Sequence, residues 1–182
     1  KGALDAAARR IGVVADINRL FVKASAVESR FDDHFVRELA AKCVTANGAA
    51  GRISVETKIS PIALGQDRFL PLALTMVEAI SNAIEHGFAE DEIGRIHIGG
   101  RPDGAHYVFE VADTGRGLPA GFDAGRTQSV GLMLVRTFAT RLGGAFEMEN
   151  NGGAVSRLTF PLAGSGGKER AAHPGVVKGV VE

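Results

Sequence analysis

Disulfides, net charge and long apolar runs are all missing from this chain, and each shortage closes off a class of protein. Cys43 is the single cysteine, so no internal disulfide can form. Its apolar helical surroundings read as those of a buried small hydrophobe, not of a redox switch. Lys and Arg total 21 and Asp and Glu total 21, a formal net charge of zero. Bulk electrostatics therefore gives no reason to expect nucleic acid or a membrane surface as partner. No apolar run reaches the roughly 18 residues that a bilayer-spanning helix needs, and no N-terminal secretion pattern is visible. A cytoplasmic location is the expectation that follows. The chain opens at Lys1, without methionine and inside a helical pattern, so it reads as part of something longer. Its 182 residues suit one domain with extensions.

What is present is alternation of two periods. Leu4, Ala8, Ile11, Ala15 and Leu20 recur at helical spacing and predict a helix over 3–24 that needs a partner helix. A second amphipathic helix is expected over 31–46, with Phe31, Phe35, Leu39 and Cys43 on one face and Asn47-Gly48 as its stop. Ile53, Val55, Thr57 and Ile59 alternate as a strand, and Leu64 marks a possible short one. A long helix then runs from about Asp67, its expected N-cap, to His86, with Pro71 in its first turn or at its true start. Ile93, Ile96 and Ile98 mark a strand, and Tyr107, Phe109 and Val111 mark another, with Arg101–Gly104 as the turn between. A glycine-rich stretch from Asp113 to Gly125 precedes a helix over about 129–142. Strands at 145–149 and 155–161 close a hairpin around Asn150-Asn151-Gly152-Gly153. The tail from Gly164 is rich in glycine and charge and reads as disordered. The layout is α+β, a two-layer α/β sandwich. It divides into an N-terminal helical piece (1–25), a catalytic-size domain (26–163) and the tail (164–182).

Three elements carry candidate chemistry. On a wheel of about 100° per residue, Phe69, Leu72, Ala73, Met76, Ile80, Ala83 and Ile84 of the long helix share one side. Glu78, Asn82, Glu85 and His86 fall opposite. Any solvated helix face looks like this. Yet a carboxylate and an amide also offer hard oxygen ligands suited to Mg²⁺, and an imidazole can meet a phosphate. The second element is Asp113-Thr114-Gly115-Arg116-Gly117-Leu118. Asp113 has the parity of Tyr107, Phe109 and Val111, so its carboxylate ends an apolar row. That position suits an acceptor for an exocyclic amino group such as adenine's. Gly115 and Gly117 let backbone and ligand approach closely, though an Asp-Gly turn alone would look the same. The third element is Ser129-Val130-Gly131-Leu132, where a helix start offers backbone N–H groups to an anion.

Taken in order, these elements resemble a known family. Glu78-x-x-x-Asn82 resembles the N box of the Bergerat-type ATPases, the GHKL superfamily that includes gyrase, MutL and the histidine kinases. Asp113-x-Gly115-x-Gly117 resembles the first glycine box, and Ser129-Val130-Gly131-Leu132 the second. Gly121-Phe122-Asp123 and the ending Gly152-Gly153-Ala154-Val155 to Phe160-Pro161-Leu162 are similar to sensor histidine kinases with a short ATP lid. Residues 7–21 resemble part of that family's dimerisation and phosphotransfer hairpin. The resemblance implies ATP and Mg²⁺ as cofactors. Asp113 would bind the adenine amino group, Asn82 would coordinate Mg²⁺, and Glu78 would orient or deprotonate a water or hydroxyl beside the metal. His86 would sit near the phosphates. Gly115, Gly117, Gly131 and Leu132 would line adenine and lid, with Glu85, Leu118, Ser129 and Val130 as further nucleotide contacts.

By the same resemblance the activity is transfer of the γ-phosphate of ATP to a histidine. A response-regulator receiver domain would be the partner, and the N-terminal helices would form a homodimer. The chain departs from the pattern in three places. The second glycine box lacks a doubled glycine, Ala154 stands where threonine is common, and no phospho-acceptor box is visible around His34, His97, His106 or His173. Two alternatives stay open: an anti-sigma-factor-type serine kinase, and a non-catalytic phosphotransfer or dimerisation scaffold with a degenerate site.

Overall fold

The computed structural model describes residues 29–162 apart from 126 and 128. The helix expected over 3–24 and the tail from 164 lie outside the described residues, as does His173.

A five-stranded sheet runs in the order β2 (Ile53–Ile59), β4 (Gly94–Asp103), β5 (His106–Asp113), β7 (Ala154–Pro161), β6 (Ala145–Asn150). β2 and β4 pair in parallel and every other pair is antiparallel. A two-stranded sheet joins β1 (Ser29–Phe31) to β3 (Ile62–Leu64). Helices α1 (Asp33–Ala46), α2 (Gln66–Asn82) and α3 (Val130–Arg141) form the second layer. The α/β two-layer sandwich expected from the alternating periods is the fold. Among the described residues no helix is long and apolar enough to cross a membrane.

Period-two alternation explains the sheet. On β5, Tyr107, Phe109, Val111 and Asp113 share a face and are all buried. Across the ladders their partners are Phe160, Leu158 and Ser156 on β7 and Pro102, Gly100, Ile98 and Ile96 on β4. That row meets the helices. Cys43 is buried in the same core, with Val36, Leu39 and Ala40 of α1 and Leu72, Met76 and Ile80 of α2. Burying apolar surface of this kind contributes about 25 cal/mol per Å², so the core is the main source of stability.

Several local expectations are corrected. α1 begins at Asp33 and not at Phe31, because the Asp32 carboxylate accepts the Phe35 N–H at 3.0 Å and so ends the helix there. Phe31 is thereby left on β1, opposite Ile62. α2 is capped by Gly65, with no side-chain bond, and not by Asp67. Asp67 lies in the first turn, where its charge suits the positive helix end. Pro71 stands farther inside the helix. The α-helical part ends at Asn82 and continues as one π turn, Ala83–Gly87. The turn between β4 and β5 falls at Gly104-Ala105, with Gly104 at φ 57, because Pro102 and Asp103 still pair with Tyr107 and His106. Ile93 precedes β4 and is 84% exposed.

Candidate functional site

The three candidate elements converge on one cavity of about 420 Å³ at the Asp113 end of β5. The π turn decides how α2 meets it. A π turn closes on i→i+5 bonds, so it is wider than the α-helix before it, and the 100° wheel stops holding at Asn82. Asn82 and His86 both line the cavity, as do Ala79 and Ala83. Gly87 ends the turn against Asp113. A Cβ on Gly87 would stand 3.4 Å from the carboxylate atoms, a close van der Waals contact.

Asp113 is 6% exposed and its carboxylate is held by backbone. Oδ1 accepts the Gly115 N–H at 2.9 Å and the Ala154 N–H at 3.1 Å. Both bonds fall on one oxygen, which leaves Oδ2 to accept from a ligand. Two glycines make this approach possible. A Cβ on Gly115 would lie 2.2 Å from the Gly87 carbonyl oxygen, and one on Gly153 would lie 1.9 Å from the Asp113 carbonyl oxygen. The Arg116 N–H donates to that same Gly87 oxygen at 2.8 Å. Chain crossings this tight exclude every side chain.

Beyond the glycine box the described residues continue along the cavity. Gly117 takes φ 74, and Leu118 and Pro119 follow it along the wall. Asp123 Oδ1 accepts the Gly125 N–H at 2.7 Å, and the Asp123 carbonyl accepts both the N–H and the hydroxyl of Thr127. Arg136, on α3, donates to the carbonyls of Ala124 and Thr127. Phe122 and Thr127 face the cavity. Ser129 then caps α3, its Oγ accepting the Leu132 N–H at 3.2 Å.

Of the residues singled out in the sequence, the cavity brings together Asn82, His86, Asp113, Gly117, Leu118, Ser129 and Leu132. Gly115 packs behind them on Gly87. Glu78 is 5% exposed, four residues before Asn82, and is not part of the wall. Glu85 is exposed on the π turn, Val130 is 58% exposed, and Gly131 is buried at the start of α3. His34, His97 and His106 are exposed and away from the cavity. Sequence reasoning passed over Ala79, Ala83, Gly87, Arg116, Pro119, Met148, Ala154 and Ser156, which also line it. Parity held a signal for some of them: Ser156 shares a face with Leu158 and Phe160, and Met148 with Phe146.

Residues 67–164 match the family described as histidine kinase-, DNA gyrase B-, and HSP90-like ATPase. Over 103 residues the chain is 36% identical to the sensor histidine kinase PdtaS of Mycolicibacterium smegmatis, an alignment covering 54% of this chain and 21% of that protein. The chain thus spans about a fifth of the length of that relative. Among solved structures, the histidine kinase domain of a blue-light activated histidine kinase from Erythrobacter litoralis superposes with a TM-score of 0.73 at 19% identity, over 85% of this chain and 78% of that one. The histidine kinase AdeS of Acinetobacter baumannii gives 0.59 at 16% identity, over 84% and 75%. At these identities the structures speak for the fold.

Proposed function

The chain belongs to the histidine kinase-, DNA gyrase B-, and HSP90-like ATPase family, and on that premise we propose that its cavity binds ATP with Mg²⁺ and serves γ-phosphate transfer to a histidine in two-component signalling. The observation that carries this reading is Asp113. Its carboxylate is buried, Oδ1 is held by two backbone amides, and Oδ2 is left at a cavity walled by Ala79, Ala83, Leu118, Leu132 and Met148. A lone acceptor beside apolar walls suits a flat heterocycle with one amino group. The adenine would lie there, with Gly117 and Leu118 against it.

The donor set also fits a cation that arrives with its nucleotide. Among the described residues no three His, Cys, Asp or Glu side chains are grouped to hold a metal by themselves. Mg²⁺ is commonly held by one or two protein oxygens, its own waters and phosphate oxygens. Asn82 supplies the protein oxygen, and the bound ion would neutralise charge on the phosphates. Glu78, one turn before Asn82, would orient that amide and a water or hydroxyl beside it. His86 would hydrogen-bond the phosphates at the mouth, and Ser129, Val130 and Gly131 would present the start of α3 to them. These residues work by positioning and charge compensation, which is most of what phosphoryl transfer asks of a protein. The acceptor histidine, the receiver-domain partner and a dimer through N-terminal helices belong to the same proposal.

Titration of the chain with ATP-Mg²⁺ tests it. Binding is expected, and Asp113→Asn or Asn82→Ala should weaken it by about 1–3 kcal/mol, the cost of a lost buried polar contact. Absence of binding by the wild-type chain sinks the proposal. The acid stability of the phosphorylated product then separates a histidine acceptor, which is labile, from the serine acceptor of an anti-sigma-type kinase.

A further inference from the structure

The closing hairpin does more than finish the sheet. Its turn touches the glycine box at both ends. At one end the Ala154 N–H holds Asp113 Oδ1 at 3.1 Å. At the other, Asn150 clasps the backbone of Leu118: Oδ1 accepts the Leu118 N–H at 2.6 Å, and Nδ2 donates to the Leu118 carbonyl at 3.1 Å. Only one orientation of the amide satisfies both bonds. Gly117 lies directly against this clasp, at φ 74, with room for no Cβ: one would stand 2.6 Å from Asn150 Oδ1. Leu118 and Pro119 then form part of the cavity wall. In sequence Asn150 reads as an ordinary hairpin-turn residue, and nothing in a turn requires its side chain to reach 32 residues back.

We propose that Asn150 is a positioning residue for the nucleotide site. By holding the Leu118 peptide from both sides it fixes the wall that meets the base. A loop pinned at Asp113 alone would keep its carboxylate in place but let Leu118 swing. Pinned at Asn150 as well, it presents a preformed slot, so the ordering cost of that segment is met on folding and not on binding. The affinity part of this inference rests on the proposed nucleotide reading; the clasp itself does not.

The test uses the full 182-residue chain, following amide hydrogen exchange at Leu118 and ATP-Mg²⁺ affinity in parallel. In the wild type the Leu118 amide should be protected. Asn150→Ala should speed its exchange about tenfold or more and weaken ATP-Mg²⁺ about tenfold, as expected for losing one or two modest hydrogen bonds. Asn150→Asp keeps the acceptor and loses the donor. It should retain protection at Leu118 and fall between the other two in affinity, a partial rescue that a general loss of stability would not produce. If Asn150→Ala does not fold, Asn150→Ser, too short to hold Leu118 from both sides, takes its place in both measurements. Leu118 exchange in the alanine or serine variant equal to that in wild type overturns the clasp. Faster exchange with unchanged affinity overturns its role in binding. Wild-type chain that binds no ATP sinks the nucleotide reading, while Leu118 exchange still decides the clasp.

Discussion

The two ends of the helix-facing side of the sheet are built from the same strands and differ in side-chain size. At the end away from the cavity, rings fill the space: Phe31 meets Phe109 at 5.7 Å and 84°, Phe69 at 5.9 Å and 70°, and Phe35 at 5.4 Å. At the other end the same elements carry small residues. β5 runs from Tyr107 and Phe109 to Asp113, β7 from Phe160 and Leu158 back to Ser156 and Ala154, and α2 from Phe69 and Leu72 to Ala79 and, in the π turn, Ala83. Hydrophobic periodicity is continuous along all three. What falls is volume, and the cavity is the space that this taper leaves. The two ends should therefore answer differently to substitution.

The largest effect is expected at the filled end. Phe109→Ala removes a fully buried ring of the aromatic cluster and should lower stability by about 3–5 kcal/mol, measured by denaturant unfolding. Its ATP-Mg²⁺ affinity per folded molecule should stay near wild type. A large loss of affinity there would show that the ends are not separable. Ala83→Leu does the opposite. It places volume where the taper omits it and should weaken ATP-Mg²⁺ about a hundredfold, close to 2.7 kcal/mol, with a smaller loss of stability than Phe109→Ala. Unchanged affinity would mean that the nucleotide does not use this space.

The same contrast explains what could be read from the sequence. Alternation at Tyr107–Val111 and helical spacing at Phe69–Ile84 were legible because burial of a face repeats along an element. The glycines that cross at Asp113 were legible as glycines, and their purpose became visible only with Gly87 and Gly153 placed beside them. Ala83 and Ala154 were not legible as site residues, because a small residue in the core and one beside a cavity have the same hydropathy. The π turn was hidden for a related reason: Ile84 and Gly87 fit an α-helical pattern equally well. β1 was missed because three residues carry too little pattern, and its partner β3 lies beyond a helix and a strand.

Tyr107 sharpens the comparison at intermediate size. It lies at the filled end, 1% exposed, with its hydroxyl donating to the Ser60 carbonyl at 2.6 Å. Burial pushes its phenol from 10.0 up to about 12. A folded-state value above the unfolded one means that the fold prefers the neutral phenol. That contribution is fully present below pH 10 and is lost as pH rises toward 12. A shift of this size corresponds to roughly 2–3 kcal/mol. Unfolding free energies of wild type and Tyr107→Phe should therefore converge and then cross as pH climbs through that window. The phenylalanine variant should start about 1 kcal/mol lower at neutral pH, having lost a hydrogen bond. Parallel curves would rule out this placement of Tyr107.

The smallest effect belongs to the face that no helix covers among the described residues, and it tests whether volume or charge holds the sheet. Arg157 on β7 donates from Nε to Glu110 Oε1 at 2.5 Å and from a terminal nitrogen to Glu149 Oε1 at 2.8 Å, tying β5, β7 and β6 together. Those two bonds raise the guanidinium above its usual range. The geometry looks strong, but the three side chains are 31%, 29% and 51% exposed. Ion pairs in that setting are typically worth about 0–1 kcal/mol and weaken with salt. Arg157→Met keeps most of the aliphatic stem, which shields the strands beneath it, and removes the charge. It should cost less than about 1 kcal/mol at low ionic strength and less again at high ionic strength, with ATP-Mg²⁺ affinity unchanged. A cost approaching that of Phe109→Ala would mean that the cross-strand charges, and not the graded volumes on the covered face, set the register in which Asp113 and Ala154 meet.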